Sequence, residues 1–325
     1  MDEATRRARR EEWRRQRQAQ IRRRRAVALA GAAALLVLLI LAISSLARGG
    51  GGEEERASAE PNPPELPRGG RSIFPEFRVV GFAGAPQAGE LGELGIGSPD
   101  SAAKRLERQA TPYGGRGRPP VLPAFELIAV IANGTPGDDG KYRTRQKRQV
   151  IQRYLAAARR TKAILILDVQ PGHGNFLDEV RQLDEFLVQP DVSLALDPEW
   201  HMSEGQVPGQ SIGSVTADEV NEVSKHVSGI VQQRRLPEKL LIIHQFTSDM
   251  IDGRERLRSY PGLALTLNVD GFGTPQLKRK KYNEFTRRGD PGYHGFKLFY
   301  REDTSMMSPE SVLQLRPQPA FVVYE

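Results

Sequence analysis

Eight short apolar runs, spread through the last 249 residues of a 325-residue chain, constrain the fold more than any other feature. They read FRVVGF (77–82), FELIAVI (125–131), AILILD (163–168), VSLALD (192–197), LLIIHQF (240–246), LALTLNV (263–269), FKLFY (296–300) and AFVVY (320–324). Near-continuous apolar runs of this length mark strands covered on both faces, as in parallel sheets. Between them the apolar period changes to that of a helix. Residues 141–160 place Val150, Ile151, Tyr154, Leu155 and Ala158 on one face, and 176–188 do the same with Phe176, Val180, Leu183 and Leu187. Residues 216–235 follow with Val220, Val223, Val227 and Ile230 behind Thr216, a capping residue type. Shorter helices fit 101–109, 249–259, 276–287 and 309–315.

A strand–helix alternation that ends on an eighth strand is the count of an α/β (β/α)8 TIM-type barrel, whose usual size is about 250 residues. An open doubly wound sheet is the competing architecture. It would place a glycine-rich phosphate turn after the first strand, and GFAGAP (81–86) lacks the GxGxxG spacing. The expectation is a barrel over 77–325 without its last outer helix, the stalk before it covering the eighth strand.

The N-terminal quarter reads differently. Residues 1–25 form a basic tail with eleven arginines against four acidic residues. Residues 26–47, AVALAGAAALLVLLILAISSLA, carry no charge. A helix of that length spans roughly 33 Å, the thickness of a bilayer core. A cleavable signal would have a shorter apolar stretch of about 7–15 residues. With Arg22–Arg25 on its N-terminal side, the segment predicts a single-pass anchor in the cell membrane, the N-terminus cytoplasmic and the C-terminal domain extracytoplasmic. Residues 48–76, rich in Gly, Pro and Glu, read as a flexible stalk. The net charge of +7 lies entirely in the tail, and the remaining 300 residues balance. A neutral body gives no footprint for a phosphate backbone, so membrane lipids rather than nucleic acid are the partners of the basic end. The absence of cysteine excludes disulfides, zinc–thiolate sites and thiol nucleophiles.

In a barrel of this kind, chemistry sits at the C-terminal ends of the strands. Those ends hold Asp168 and Gln170; Asp197, Glu199 and Trp200; His244 and Gln245; Asp270 and Phe272; and Tyr300 and Tyr324, with Lys297 inside the seventh run. Carboxylates and aromatics on one rim suit glycosidic bond cleavage, which needs an acid and a base or nucleophile across the bond. The pair Asp197-Pro-Glu199 is the sharpest element, with Glu199 the expected acid and Asp270 or Asp168 its partner. Gln170, Trp200, His244, Gln245, Phe272, Lys297, Tyr300 and Tyr324 are the expected substrate contacts. His244 also fits a satisfied core histidine, and Lys297 is expected to pair with a buried carboxylate rather than form a Schiff base. Asp168, Glu199, His201, His244 and Asp270 are also metal-ligand types, but no HExxH or His-x-His motif accompanies them, so neither metal nor cofactor is assigned. No GxSxG elbow and no GxxxxGK[ST] loop occurs.

The phrases LALDPEW (194–200), KLLIIHQFTSDMI (239–251), NVDGFG (268–273) and GFKLFY (295–300) resemble a family of uncharacterised bacterial proteins, secreted or membrane-attached. The resemblance covers residues 77–325 and implies a glycoside-hydrolase-type barrel. The Asp-x-Glu after a strand is also similar to barrel-type cell-wall lysozymes. Those carry a further acid at the end of the first strand, where this chain has Gly81-Phe82-Ala83. The expected function is hydrolysis of an envelope polysaccharide through paired carboxylates. A catalytically silent carbohydrate-binding or envelope-organising barrel is the alternative, and a metal-dependent hydrolase a third.

Overall fold

Extended chain turns alternate side chains to opposite faces, and the eight apolar runs use that period to close a barrel. The computed structural model describes residues 62–286 and 289–325. Among these, the runs become β1 (Arg78–Gly84), β2 (Val121–Ala132), β3 (Ile164–Val169), β4 (Val192–Leu196), β5 (Lys239–Gln245), β6 (Leu263–Val269), β7 (Tyr293–Leu298) and β8 (Phe321–Tyr324). Each pairs in parallel with the next, and β8 returns to β1 through Val79–Phe321 and Gly81–Val323. The sheet is closed, so the open doubly wound alternative falls. The basic tail, the expected membrane span 26–47 and the start of the expected stalk lie outside the described residues. Among the described residues no helix is long and apolar enough to cross a membrane.

The connecting helices are α1 (Pro99–Ala110), α2 (Arg148–Arg160), α3 (Phe176–Arg181), α4 (Asp184–Leu187), α5 (Ala217–Arg234), α6 (Pro275–Phe285) and α7 (Pro309–Leu313). The apolar stripe of α5, Val220, Val223, Val227 and Val231, is buried on the sheet's outer layer. Its start is a capping box in which the Thr216 hydroxyl accepts from the Glu219 N–H and the Glu219 carboxylate accepts from the Thr216 N–H. Such a cap contributes about 1 kcal/mol.

Three expectations change. The helix expected over 249–259 is absent: Ile251–Asp252 pairs in parallel with Val215–Thr216, and Gly253, at φ 66°, turns the chain. An Asp-Gly step beside a buried Ile251 favours that turn over a helix. The helix expected from 141 starts at Arg148, because Arg143–Arg145 instead pairs antiparallel with the end of β2. Residues 62–76 are no stalk and do not cover β8. Leu66, Ile73 and Phe74 are buried, in one cluster with Phe77 and the barrel interior. The backbone N–H groups of Ile73 and Phe74 donate to Glu238, which immediately precedes β5, and Arg71 donates to the carbonyls of Arg235 and Leu236. This segment stoppers the N-terminal end of the barrel. The apolar residues that do this, Leu66, Ile73 and Phe74, are few and scattered, which is why composition alone reads the stretch as a stalk. The outer face of β8 is covered by Tyr113 and Tyr300.

Inside, the lower levels are apolar: Val79, Ala124, Ile166, Ala195, Ile242, Ala264, Phe321 and Val323. One pleat further toward the C-terminal ends, the inward positions become polar. Ala124 is followed by Glu126, Ile166 by Asp168, Ala195 by Asp197, Ile242 by His244 and Val323 by Glu325. Gly295 makes room for this layer, since a Cβ there would collide with the Asn268 side-chain oxygen.

Candidate active site

The polar layer floors a cavity of about 550 Å³ at the C-terminal end of the barrel. Glu126, Asp168, Gln170, Asp197, Glu199, Trp200, Asp270, Phe272, Lys297 and Glu325 all line it. The four expected acids and four of the eight expected contact residues are therefore brought together. Segments from six different strands converge there because each ends its inward face on a polar residue.

A charge chain runs along the β5–β8 side. His244 lies directly under the floor, 1% exposed, with Nδ1 3.0 Å from Asp270 Oδ2 and Nε2 3.0 Å from Glu126 Oε1. The Lys297 ammonium stands 3.3 Å from Asp270 Oδ2 and 2.5 Å from Glu325 Oε2. Asp270 Oδ1 accepts the Gly271 N–H at 2.6 Å, in a turn that holds Gly271 at φ 93°. Burial opposes the charged form of both cations, but the carboxylates outweigh it: Glu126 and Asp270 hold the His244 pKa well above the usual histidine value, and Asp270 and Glu325 do the same for Lys297. Asp270 is the mirror case. Burial would raise it, but Lys297, His244 and the Gly271 N–H hold it well below the carboxylate range. The expected pairing of Lys297 with a buried carboxylate is what the structure shows.

The β3–β4 side behaves in the opposite way. Burial and the neighbouring Asp197 raise Asp168 well above the carboxylate range. Asp197 is raised to about 6 by burial, offset in part by His244 and Lys297. Glu199 is raised to about 8, by burial first and then by Asp197 and Asp270. Gln170 bridges this side to β2, donating to Asp197 Oδ2 at 3.2 Å and accepting the Ala132 N–H at 3.1 Å. The cavity thus holds, near neutral pH, a protonated Glu199 and an ionised Asp270.

Four expected contact residues do not line the cavity. Tyr324 is fully buried on the outer face of β8, its hydroxyl 2.6 Å from that of Tyr113. Strand parity decides this, because Val323 and Glu325 point inward. Gln245 points outward for the same reason and donates to the Thr247 carbonyl. Tyr300 stacks on Tyr324, with ring centroids 5.4 Å apart, and lines a smaller neighbouring pocket of about 200 Å³. His244 does not line the cavity and acts from beneath it.

Glu126 and Phe299 were not anticipated, and Phe246 and Glu325 were read as strand ends without being counted as contacts, yet all four line the cavity. Glu126 had a readable signal: it is the one charged residue in FELIAVI, two positions after the inward Ala124. It is also the register partner of Ala83, the β1 residue that lines the cavity. Buried Lys278 fixes the rim from outside: its ammonium is 2.9 Å from Asp303 and donates to the carbonyls of Gly271 and Lys297. Among the described residues, no group of three or more His, Asp or Glu side chains is arranged to hold a metal ion.

No protein-family model matches the chain, and no curated protein matches it. Eleven chains of solved structures do match. One is the 3-keto-D-glucoside 4-epimerase of E. coli in its apo form, at a TM-score of 0.36 and 11% identity, over 76% of this chain and 90% of that one.

Proposed function

We propose that this chain is a membrane-anchored, extracytoplasmic glycoside hydrolase of the envelope, a member of the barrel family its DPEW, HQF, DGFG and GFKLFY phrases resemble. One observation carries the reading: a single open cavity holds two carboxyl groups whose pKa values are driven apart, Glu199 up to about 8 and Asp270 below the carboxylate range. That division is what assigns acid and base in such pairs. Glu199 donates its proton to the glycosidic oxygen as the bond to the anomeric carbon breaks. The Asp270 carboxylate, held ionised by His244 and Lys297, faces the positive charge that develops on the sugar; water then bonds to the anomeric carbon in place of the departed oxygen, and the proton it releases restores Glu199. Asp168 keeps its proton and is set aside as the base. Trp200, Phe246 and Phe272 offer ring faces to the sugar, and Phe272 is 66% exposed.

The test is Glu199→Gln on the purified chain with envelope glycan fragments. Loss of a general acid predicts about 10²- to 10⁴-fold lower kcat with binding retained. Unchanged turnover would remove Glu199 from the mechanism. A non-catalytic carbohydrate-binding barrel is the second reading, favoured by the engagement of both Asp270 oxygens in the charge chain. It predicts no turnover by the wild type and retained binding.

A further inference from the structure

The two sides of the cavity differ in more than pKa. On the β5–β8 side every carboxylate has a cation: Asp270 has His244 and Lys297, and Glu325 has Lys297. On the β2–β4 arc three side-chain oxygens are buried without a hydrogen-bond partner, namely Glu126 Oε2, Asp168 Oδ1 and Asp197 Oδ1. Their residues are 1%, 3% and 4% exposed, sit on three consecutive strands and all line the cavity. A buried acceptor left without a donor costs about 1–3 kcal/mol, more when charged, so three together at one floor favour a ligand rich in donors. The charge is unbalanced too. Glu90 and Glu199 add to the acids at the wall, and Lys281 is the remaining cation, with its ammonium 5.4 Å from the Phe246 ring centroid.

We propose that this arc binds the protonated amine of an amino sugar, with the ammonium directed at Glu126, Asp168 and Asp197. An ammonium brings three N–H donors to three acceptor oxygens and a positive charge against which Asp168, protonated in the free chain, gives up its proton. A hydroxyl brings one donor and no charge, and an N-acetyl group brings one N–H and a carbonyl oxygen that the carboxylates repel. The aromatic wall of Trp200, Phe246 and Phe272 supplies faces for a pyranose ring, which a bare ammonium ion does not need. The inference rests on the carbohydrate reading above and names its substrate class.

The experiment is calorimetric titration of the full chain at neutral pH with the β-1,4-linked glucosamine trimer, its fully N-acetylated counterpart and tri-lysine. The free-amine trimer is expected to bind at least tenfold more tightly than either. Asp168→Asn and, separately, Asp197→Asn should each shrink that ratio, with circular dichroism confirming the fold. Equal or tighter binding of the acetylated trimer, or no binding of either sugar, overturns the proposal. Tri-lysine at equal affinity overturns the sugar assignment. The amine preference without turnover of any glycan would sink the hydrolase and leave this inference standing; turnover with preference for the acetylated trimer would do the reverse.

Discussion

Replacing Lys297 by Met keeps an unbranched apolar stem and removes the ammonium at its tip. In the folded chain the Lys297 ammonium is 8% exposed and serves two carboxylates, Asp270 at 4% and Glu325 at 25%. Breaking a buried pair from one end leaves an uncompensated charge and costs about 3–5 kcal/mol. At about 2–4 °C per kcal/mol for a domain of this size, Lys297→Met should lower Tm by about 6–20 °C at pH 7. The pH dependence is the sharper signature. Asp270 is depressed in the folded state, so its contribution is present above the unfolded carboxylate value of about 3.9 and disappears as pH falls through the folded value. Without Lys297, Asp270 loses its main support and relieves the strain by taking a proton. The gap between wild type and variant should therefore narrow as pH drops below about 5. Lys297 is raised in the folded state, so its contribution is full below about 10.4 and fades above that value. Differential scanning calorimetry from pH 3 to 8 reads this directly. A loss below about 1 kcal/mol at pH 7, or a gap that widens toward acid, would refute the charge chain as the organiser of the floor.

Two other outcomes follow from the same geometry. The kcat/KM profile should fall on an alkaline limb near pH 8, where free Glu199 loses its proton, and Glu199→Gln should abolish that limb along with the activity; an intact limb in the variant would assign it to another group. Tyr324→Phe removes one buried hydroxyl pair on the outer face, and should cost about 1 kcal/mol in urea unfolding while leaving glycan affinity unchanged. A loss of affinity would return Tyr324 to the site.

The barrel was legible because its strands are buried on both faces and so appear as runs, whatever their neighbours. Every run quoted from the sequence coincides with a barrel strand to within a few residues, and Thr216 caps the helix it was expected to cap. The rim acids Asp168, Asp197, Glu199 and Asp270 were legible for a related reason: a polar residue that ends an apolar run in a parallel barrel has few places to go but the mouth. Direction was harder to read. Tyr324 and Gln245 end strands just as Asp270 follows one, but a single step of the pleat sends them to the opposite face. The stopper under the barrel was hidden because three apolar anchors, Leu66, Ile73 and Phe74, are dispersed among glycines and prolines.

Local sequence, then, determined which segments are barrel strands, where the main helices between them lie, and which acids end up near a common rim, since each depends on the pattern of a few neighbouring residues. Only the closed sheet decided what those acids do. Asp270 and Glu199 are both ordinary carboxyl groups in the sequence. Asp270 is held ionised because β5 and β7 place His244 and Lys297 beside it, and Glu199 is held protonated because it is buried among acids with no cation of its own. Charge state depends on neighbours in space, and those neighbours come from strands distant in the chain.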